Sequence, residues 1–190
     1  MRHLVLGGAR SGKSKFAENL CDSWLNSKRS NSNVVYIATA TAGDDEMRQR
    51  IQFHQQTRNQ DWQLIEEPFY LSDILSKLTR DSIVLIDCLT LWLSNWLCTH
   101  DVESFAQEKS AFVDQLLNFQ GKIVIVSNEV GSGIVPMGEL SRQFSDQAGW
   151  LNQAIANIVD KVHLIVAGCP LVLKDKQPLS TDYKPGKDAC

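Results

Sequence analysis

The sequence lacks the features that mark fibrous, disordered and disulfide-stabilised proteins. It has 11 Gly and 5 Pro in 190 residues and contains no low-complexity block, which excludes collagen-like and disordered chains. Its 5 Cys form no CxxC pair and are odd in number, which argues against a zinc site or a disulfide framework. We therefore expect a folded protein with free thiols in a reducing, cytoplasmic compartment.

Excess positive charge and long apolar runs are also missing. The 19 Lys and Arg are outnumbered by 22 Asp and Glu, for a net charge of −3, so no global positive field exists to hold a nucleic-acid backbone. No uninterrupted apolar stretch approaches the ~20 residues that a membrane-spanning helix needs. We expect neither a nucleic-acid partner nor a membrane span.

What the sequence does contain is a regular alternation of apolar runs and helical periods. The apolar runs predict buried strands at 3–6, 33–38, 82–87, 122–127 and 161–167. Helical periodicity lies at 14–26, 44–58, 71–80, 102–119 and 139–159. This order predicts an α/β fold with a mostly parallel sheet and helices on both faces, whose ligands collect at the carboxyl ends of the strands. One domain is expected over residues 1–174, followed by a polar tail over 175–190.

A phosphate-binding loop lies between the first strand and the first helix. Its residues match GxxxxGK[ST] in full: Gly7, Gly8, Ala9, Arg10, Ser11, Gly12, Lys13 and Ser14. In such a loop backbone N–H groups surround the phosphates, the lysine reaches the β and γ phosphates, and the final hydroxyl binds Mg²⁺. Asp87, at the end of an apolar strand, is the candidate acidic partner for Mg²⁺ beside Ser14. The alternative is that Asp87 caps the segment beginning at Leu89.

A histidine between two arginines forms a second candidate site. On a helix over 44–58, Arg50 and Arg58 lie four residues before and after His54, so all three share one face. Two neighbouring cations lower the pKa of the imidazole and keep its lone pair free at neutral pH. This pattern suits nucleophilic attack on a nucleotide α-phosphate to give a phosphoramidate. The alternative is a surface histidine with solvated arginines.

Taken together, these blocks resemble the bifunctional cobinamide kinase and cobinamide-phosphate guanylyltransferase family of cobalamin biosynthesis. The blocks are GGARSGKS at 7–14, DDEMxxRIxxH at 44–54, Arg58, Trp62 and Glu66, IDCLTLWLSN at 86–95 and SNEVGSGIVP at 127–136. The likeness continues through Leu140, Arg142, Phe144, Asp146, Gly149, Asn152 and Gln153 to the strand end at 168–174. It spans residues 3–174 in order.

The resemblance implies a P-loop, RecA-like fold assembled as a homotrimer and two successive reactions. The first is phosphorylation of adenosylcobinamide by ATP or GTP. The second is transfer of GMP from GTP to adenosylcobinamide phosphate through a covalent guanylyl-histidine, which falls on His54. Further nucleotide contacts implied by the resemblance are Thr39, Ala40, Thr41, Gln55, Gln56, Thr57, Arg58, Glu66 and Asp87.

Two other functions remain open on the sequence. One is a P-loop small-molecule kinase without nucleotidyl transfer, and the other is a RecA-like NTPase module. The glycine-containing segment 127–136 suggests that Asn128 and Glu129 help to close the site over the corrinoid, against the alternative of a simple loop leading into a helix. The sequence does not locate a corrinoid pocket, because Leu91, Trp92 and Trp96 fit a core or a subunit interface as well as they fit such a pocket.

Overall fold

The part of the chain that the structure describes folds around one seven-stranded sheet. A computed structural model describes residues 1–27, 33–41, 45, 48 and 59–175. Its strands are β1 (Arg2–Gly7), β2 (Val34–Ala38), β3 (Gln63–Glu66), β4 (Ile83–Asp87), β5 (Lys122–Asn128), β6 (Lys161–Val166) and β7 (Cys169–Asp175). The strand order is β3-β2-β4-β5-β1-β6-β7. Every neighbouring pair is parallel except β6 with β7, so the carboxyl ends of six strands share one edge.

Five helices of the described residues connect these strands. They are α1 (Lys13–Ser27), α2 (Leu71–Lys77), α3 (Leu89–Thr99), α4 (Val102–Asn118) and α5 (Glu139–Ile158). The clearest capping interaction begins α4, where the Asp101 side chain accepts a hydrogen bond from the Ser104 N–H. α3 instead has apolar residues around most of its circumference, with Trp92, Leu93 and Trp96 all buried.

The sheet has two differently covered faces, because successive strand residues point to opposite sides. On one, which we call the P-loop face, Val5, Tyr36 and Leu85 pack against Cys21 and Trp24 of α1. On the other, the four-helix face, the alternate strand residues pack against α2, α3, α4 and α5. Core residues of the four-helix face include Leu4, Ile37, Ile86, Trp92, Phe105, Phe112, Leu116, Leu151 and Ile155.

The structure confirms the predicted α/β fold and all five predicted strands, with shifts of one residue at several ends. Four elements differ from the prediction. The helix predicted over 71–80 ends at Lys77, β3 and β7 are not among the five predicted strands, and α3 was not predicted as a helix. The helix predicted over 44–58 lies outside the described residues apart from isolated positions, and so does the tail beyond Asp175.

Candidate nucleotide-binding site

The phosphate loop leaves the end of β1 with a backbone that only small residues permit at two points. A Cβ on Gly7 would lie 2.7 Å from the Ile165 carbonyl oxygen, and Gly12 has a φ of 95° and lies against Gly168. Arg10 also has a positive φ, 56°. Alternation of left-handed and right-handed residues turns successive N–H groups toward one side of a loop, which makes a concave anion site.

Hydrogen bonds to neighbouring strand ends hold this loop on both sides. The Glu129 N–H, just after β5, donates to the Gly7 carbonyl at 3.1 Å. The Gly168 N–H, in the turn between β6 and β7, donates to the Ser11 carbonyl at 2.8 Å. The loop is therefore fixed to the sheet before any ligand binds, which lowers the ordering cost of binding.

Lys13 and the start of α1 supply positive charge to the loop. The Lys13 Nζ donates to the Gly8 carbonyl at 3.1 Å, which holds the ammonium group over the loop. Ser14 follows in the first helical turn, and that turn contains no acidic residue. Because a helix N-terminus carries partial positive charge and free N–H groups, the loop, Lys13 and α1 together form an anion-binding site.

Asp87 ends β4 on the same edge and the same face of the sheet. One strand, β5, separates β4 from β1, which places the two strand ends roughly 10 Å apart. The Tyr36 hydroxyl donates to Asp87 Oδ2 at 3.3 Å. The N-cap position of α3 falls on Cys88 rather than on Asp87, so the capping alternative does not describe this helix start.

The Lys13 ammonium affects the pKa of a thiol just after the end of β4. Burial raises the pKa of the Cys88 thiol to about 11, the Asp87 carboxylate reinforces this rise, and the Lys13 ammonium opposes it. Lys13 and Asp87 therefore act on the pKa of the same buried thiol in opposite directions.

The segment after β2 is fastened to the same strand end. The fully buried Thr39 hydroxyl donates to the Cys88 carbonyl and accepts from the Cys88 N–H, both at 2.8 Å. Asn95 of α3 donates from Nδ2 to the Thr39 carbonyl at 2.7 Å and accepts from the Thr41 hydroxyl at 3.0 Å. Thr39 therefore faces Cys88, whereas Thr41 is exposed and Ala40 is half-buried. No sequence motif marks Asn95 or Tyr36 as an anchoring residue, so neither role could be predicted from the sequence.

Glu66 and Glu129 lie at the carboxyl ends of β3 and β5, two strands that β2 and β4 separate. Glu66 is exposed at the end of β3, paired in register with Ala38 of β2. The Glu129 carboxylate accepts from the Gly131 N–H at 2.7 Å and the Ser132 hydroxyl at 3.2 Å. Glu129 therefore shapes its own loop, and the hypothesis that it closes the site remains a prediction.

The second candidate site lies outside the described residues. Arg50, His54 and the predicted contacts Gln55, Gln56, Thr57 and Arg58 all fall in the stretch 49–58.

Among the residues that the structure describes, no three His, Cys, Asp or Glu side chains cluster closely enough to hold a metal ion. Within those same residues, no helix has the length and apolar character needed to cross a membrane.

The histidines other than His54, and two tryptophans of α3, pack against neighbouring side chains of the fold. His3 and His163 are buried in β1 and β6, and His100 ends α3 against the Phe69 and Trp96 rings. Trp92 and Trp96 are buried, and both indole N–H groups donate to the Phe69 carbonyl. These tryptophans are therefore core residues.

Comparison with known proteins identifies the family. A family model described as cobinamide kinase / cobinamide phosphate guanyltransferase matches residues 3–173. The bifunctional adenosylcobalamin biosynthesis protein CobP of Pseudomonas aeruginosa is 47% identical over 175 residues, covering 92% of this chain and 98% of that protein. The corresponding CobU proteins of Escherichia coli and Salmonella typhimurium are 36% and 37% identical over 188 residues, covering 92% of this chain and 100% of theirs. The chain therefore belongs to the cobinamide kinase / cobinamide phosphate guanyltransferase family of bifunctional cobalamin biosynthesis enzymes.

Proposed function

We propose that this protein phosphorylates adenosylcobinamide with ATP or GTP at the P-loop and then transfers GMP from GTP to adenosylcobinamide phosphate through His54. The observation that supports the first step most directly is the Lys13 ammonium, held over the Gly8 carbonyl at the N-terminus of α1. Family membership supports the choice of substrate. The sequence pattern Arg50, His54 and Arg58 supports the second step.

In the kinase step the loop acts by placing positive charge around the transferred phosphoryl group. Backbone N–H groups of residues 8–14 and the Lys13 ammonium hold the β and γ phosphates. The hydroxyl oxygen of the aminopropanol arm forms a bond to the γ-phosphorus as the bond from that phosphorus to the bridging oxygen breaks. The hydroxyl proton leaves to solvent or a base, and the nucleoside diphosphate departs. Electrostatic stabilisation supplies most of the acceleration in such reactions.

Ser14 and Asp87 form the donor set that we assign to Mg²⁺. Hydroxyl and carboxylate oxygens are the ligands Mg²⁺ prefers, and Asp87 is only half-buried at the carboxyl edge that also bears the loop. When bound, the ion neutralises charge on the β and γ phosphate oxygens. The Tyr36 hydroxyl fixes the orientation of the Asp87 carboxylate toward this edge.

In the transferase step we assign the nucleophile to His54. Its free imidazole nitrogen bonds to the α-phosphorus of GTP, and pyrophosphate leaves with the electrons of the broken P–O bond. A phosphate oxygen of adenosylcobinamide phosphate then attacks the same phosphorus, the P–N bond breaks, and adenosylcobinamide-GDP forms with His54 restored. Arg50 and Arg58 keep the imidazole neutral and hold the phosphates against it. The further nucleotide contacts that we propose are Gln55, Gln56, Thr57, Glu66 and the segment Thr39 to Thr41.

We also propose that the active enzyme is a cytoplasmic homotrimer without a nucleic-acid partner. Exposed apolar side chains on the edge strand β7, namely Leu171, Val172 and Leu173, are each more than half exposed in one chain, which is typical of surfaces buried by assembly. Free cysteines among the described residues fit a reducing compartment. Sedimentation analysis tests the trimer directly.

The experiment that tests the two-step proposal is product analysis with wild type and His54→Asn. Each protein is incubated with Mg²⁺, cobinamide and ATP, and then with GTP, and the corrinoid products are separated and weighed by mass spectrometry. We expect wild type to form first the phosphate and then the GDP derivative. His54→Asn should form the phosphate at a near wild-type rate and stop there. Equal loss of both products in His54→Asn would contradict the separate roles.

A further inference from the structure

An uncharged cavity of about 380 Å³ opens between α3, α5 and the loop before α5. Its residues are Ser94, Leu97, Cys98, Pro136, Leu140, Ser141, Phe144 and Ser145. Four of them are apolar, three carry hydroxyl groups and one carries a thiol. An apolar cavity with a few convergent polar groups is the usual form of a small-molecule site.

The cavity lies at the edge of the sheet that bears the phosphate loop. α3 begins two residues after Asp87, and Ser94 follows its first residue by about 8 Å along the helix axis. α5 ends just before β6, whose first residue pairs with His3 near the start of β1. The first turns of this 20-residue helix therefore lie about 30 Å from its end, at the carboxyl edge.

A loop with unusually exposed apolar side chains connects the cavity to the P-loop. The loop over 129–138 starts at the Glu129 N–H, which is bonded to the Gly7 carbonyl. Ile134 and Met137 are each 97% exposed. At the far end, the Arg142 guanidinium donates to the Pro136 and Met137 carbonyls and so fastens the loop to α5. Hydrogen bonds therefore fix both ends of the loop, while its apolar side chains are exposed to solvent beside an apolar cavity.

We propose that this cavity binds an edge of the corrin ring of cobinamide, with the apolar side chains of the 129–138 loop lying against the bound ring. The inference rests on the proposed function, which requires an acceptor within reach of the phosphate loop. The apolar edge of the ring and its neutral amide side chains match an uncharged lining whose serine hydroxyls can donate to and accept from amides. The aminopropanol arm then points toward Lys13 and Asp87 along the start of α3.

Filling the cavity tests this assignment. Ser141→Trp places an indole in the cavity from an exposed position of α5, whereas Gln143→Trp places the same group on the opposite side of the same helix. We expect Ser141→Trp to raise the KM for cobinamide in the kinase reaction by about tenfold or more with little change in the KM for ATP, because it removes acceptor binding alone. Gln143→Trp should keep the wild-type KM for both substrates.

Three other outcomes overturn the assignment in distinguishable ways. A wild-type KM for cobinamide in Ser141→Trp shows that the acceptor binds elsewhere, with the proposed function intact. A change of mass in solution confined to Ser141→Trp shows that the cavity is an interface between copies of the chain. A wild-type enzyme that phosphorylates no cobinamide removes the proposed function and this inference together.

Cys98 provides a second measurement that does not depend on turnover. Its thiol is exposed and lines the cavity, so its rate of alkylation by iodoacetamide can be followed by peptide mass spectrometry. Saturating cobinamide without nucleotide should slow alkylation of Cys98 by about tenfold or more, while ATP alone should leave the rate unchanged. Undiminished alkylation of Cys98 in cobinamide would overturn the proposal.

Discussion

The two faces of the sheet differ in what covers them and in what they hold. The P-loop face packs against α1 among the described helices, and it contains Asp87, Tyr36 and the buried histidines His3 and His163. The four-helix face is covered by α2, α3, α4 and α5 around a large aliphatic and aromatic core. The buried histidines lie on the first face, whereas the second holds the larger apolar volume and the buried carboxylate of Glu108.

This difference indicates a division between chemistry and stability. The phosphate loop and Asp87 must keep polar groups close to water and to a charged ligand, which limits how much apolar area their face can bury. The four-helix face has no such demand apart from its edge, where α3 and α5 leave the cavity. Changes on the first face should therefore affect rates more than stability, and changes in the core of the second should do the opposite.

Lys13→Ala should give the largest effect on rate. Removing the ammonium eliminates a charge that stabilises the phosphates in the transition state, so we expect the kinase rate to fall by about 10²-fold to 10³-fold. Guanylyl transfer should also fall, because the loop binds nucleotide. Steady-state assays of each reaction, the second with cobinamide phosphate supplied, measure both. The midpoint of thermal unfolding should stay close to that of wild type. A large loss of stability would contradict the division between chemistry on one face and stability on the other.

Leu116→Ala should give the converse result, with Leu117→Ala as its matched control. These adjacent residues of α4 are 0% and 47% exposed, and only Leu116 packs in the core of the four-helix face. We expect Leu116→Ala to lower the free energy of unfolding by about 3 kcal/mol through loss of packing and creation of a cavity. The change in Leu117→Ala should be below about 1 kcal/mol. Urea unfolding measures both, and similar values for the pair would contradict the packing described here.

The pH dependence of the free energy of unfolding gives a further test of the comparison between the two faces, through a histidine of the P-loop face. His3 is 4% exposed, its ring centroid lies 5.5 Å from that of His163, and burial lowers its pKa to about 4. The unfolded chain takes up a proton near pH 6.5 that the folded chain excludes until about pH 4, so stability falls as the pH falls through this window. We expect His3 to contribute about 3 kcal/mol to this loss.

His3→Leu isolates that contribution. The variant keeps His163 and every carboxylate, so only the His3 part of the pH dependence should disappear. Urea unfolding of both proteins at several values between pH 7 and pH 4.5 should show a shallower decline in the variant. Parallel curves for wild type and His3→Leu would show that His3 is protonated in the folded state within this range.

Local patterns predicted the fold and the loop well, because their causes are local. The strands that became β1, β2, β4, β5 and β6 are short runs of β-branched and aliphatic residues buried on both faces, and the structure confirms them. GxxxxGK[ST] fixes its own backbone through glycine positions and a following helix, which is why the loop could be located before the sheet was known.

Elements whose pattern depends on tertiary packing were missed. α3 has the sequence LTLWLSNWLCT, in which apolar residues surround the helix, so no polar face gave a helical period. β3 has only four residues and none of them is buried. The cavity between α3 and α5 also has no motif, because its residues come from three separate segments.

The measurement that tests the central claim most directly is covalent labelling of the protein by GTP. Pure protein is incubated with Mg²⁺ and GTP labelled at the α-phosphate, denatured and separated, beside His54→Asn and Lys13→Ala. The account predicts acid-labile, base-stable label on wild type and none on His54→Asn. Absence of label on wild type, at a GTP concentration where binding is demonstrated, would contradict guanylyl transfer through histidine and leave a P-loop kinase.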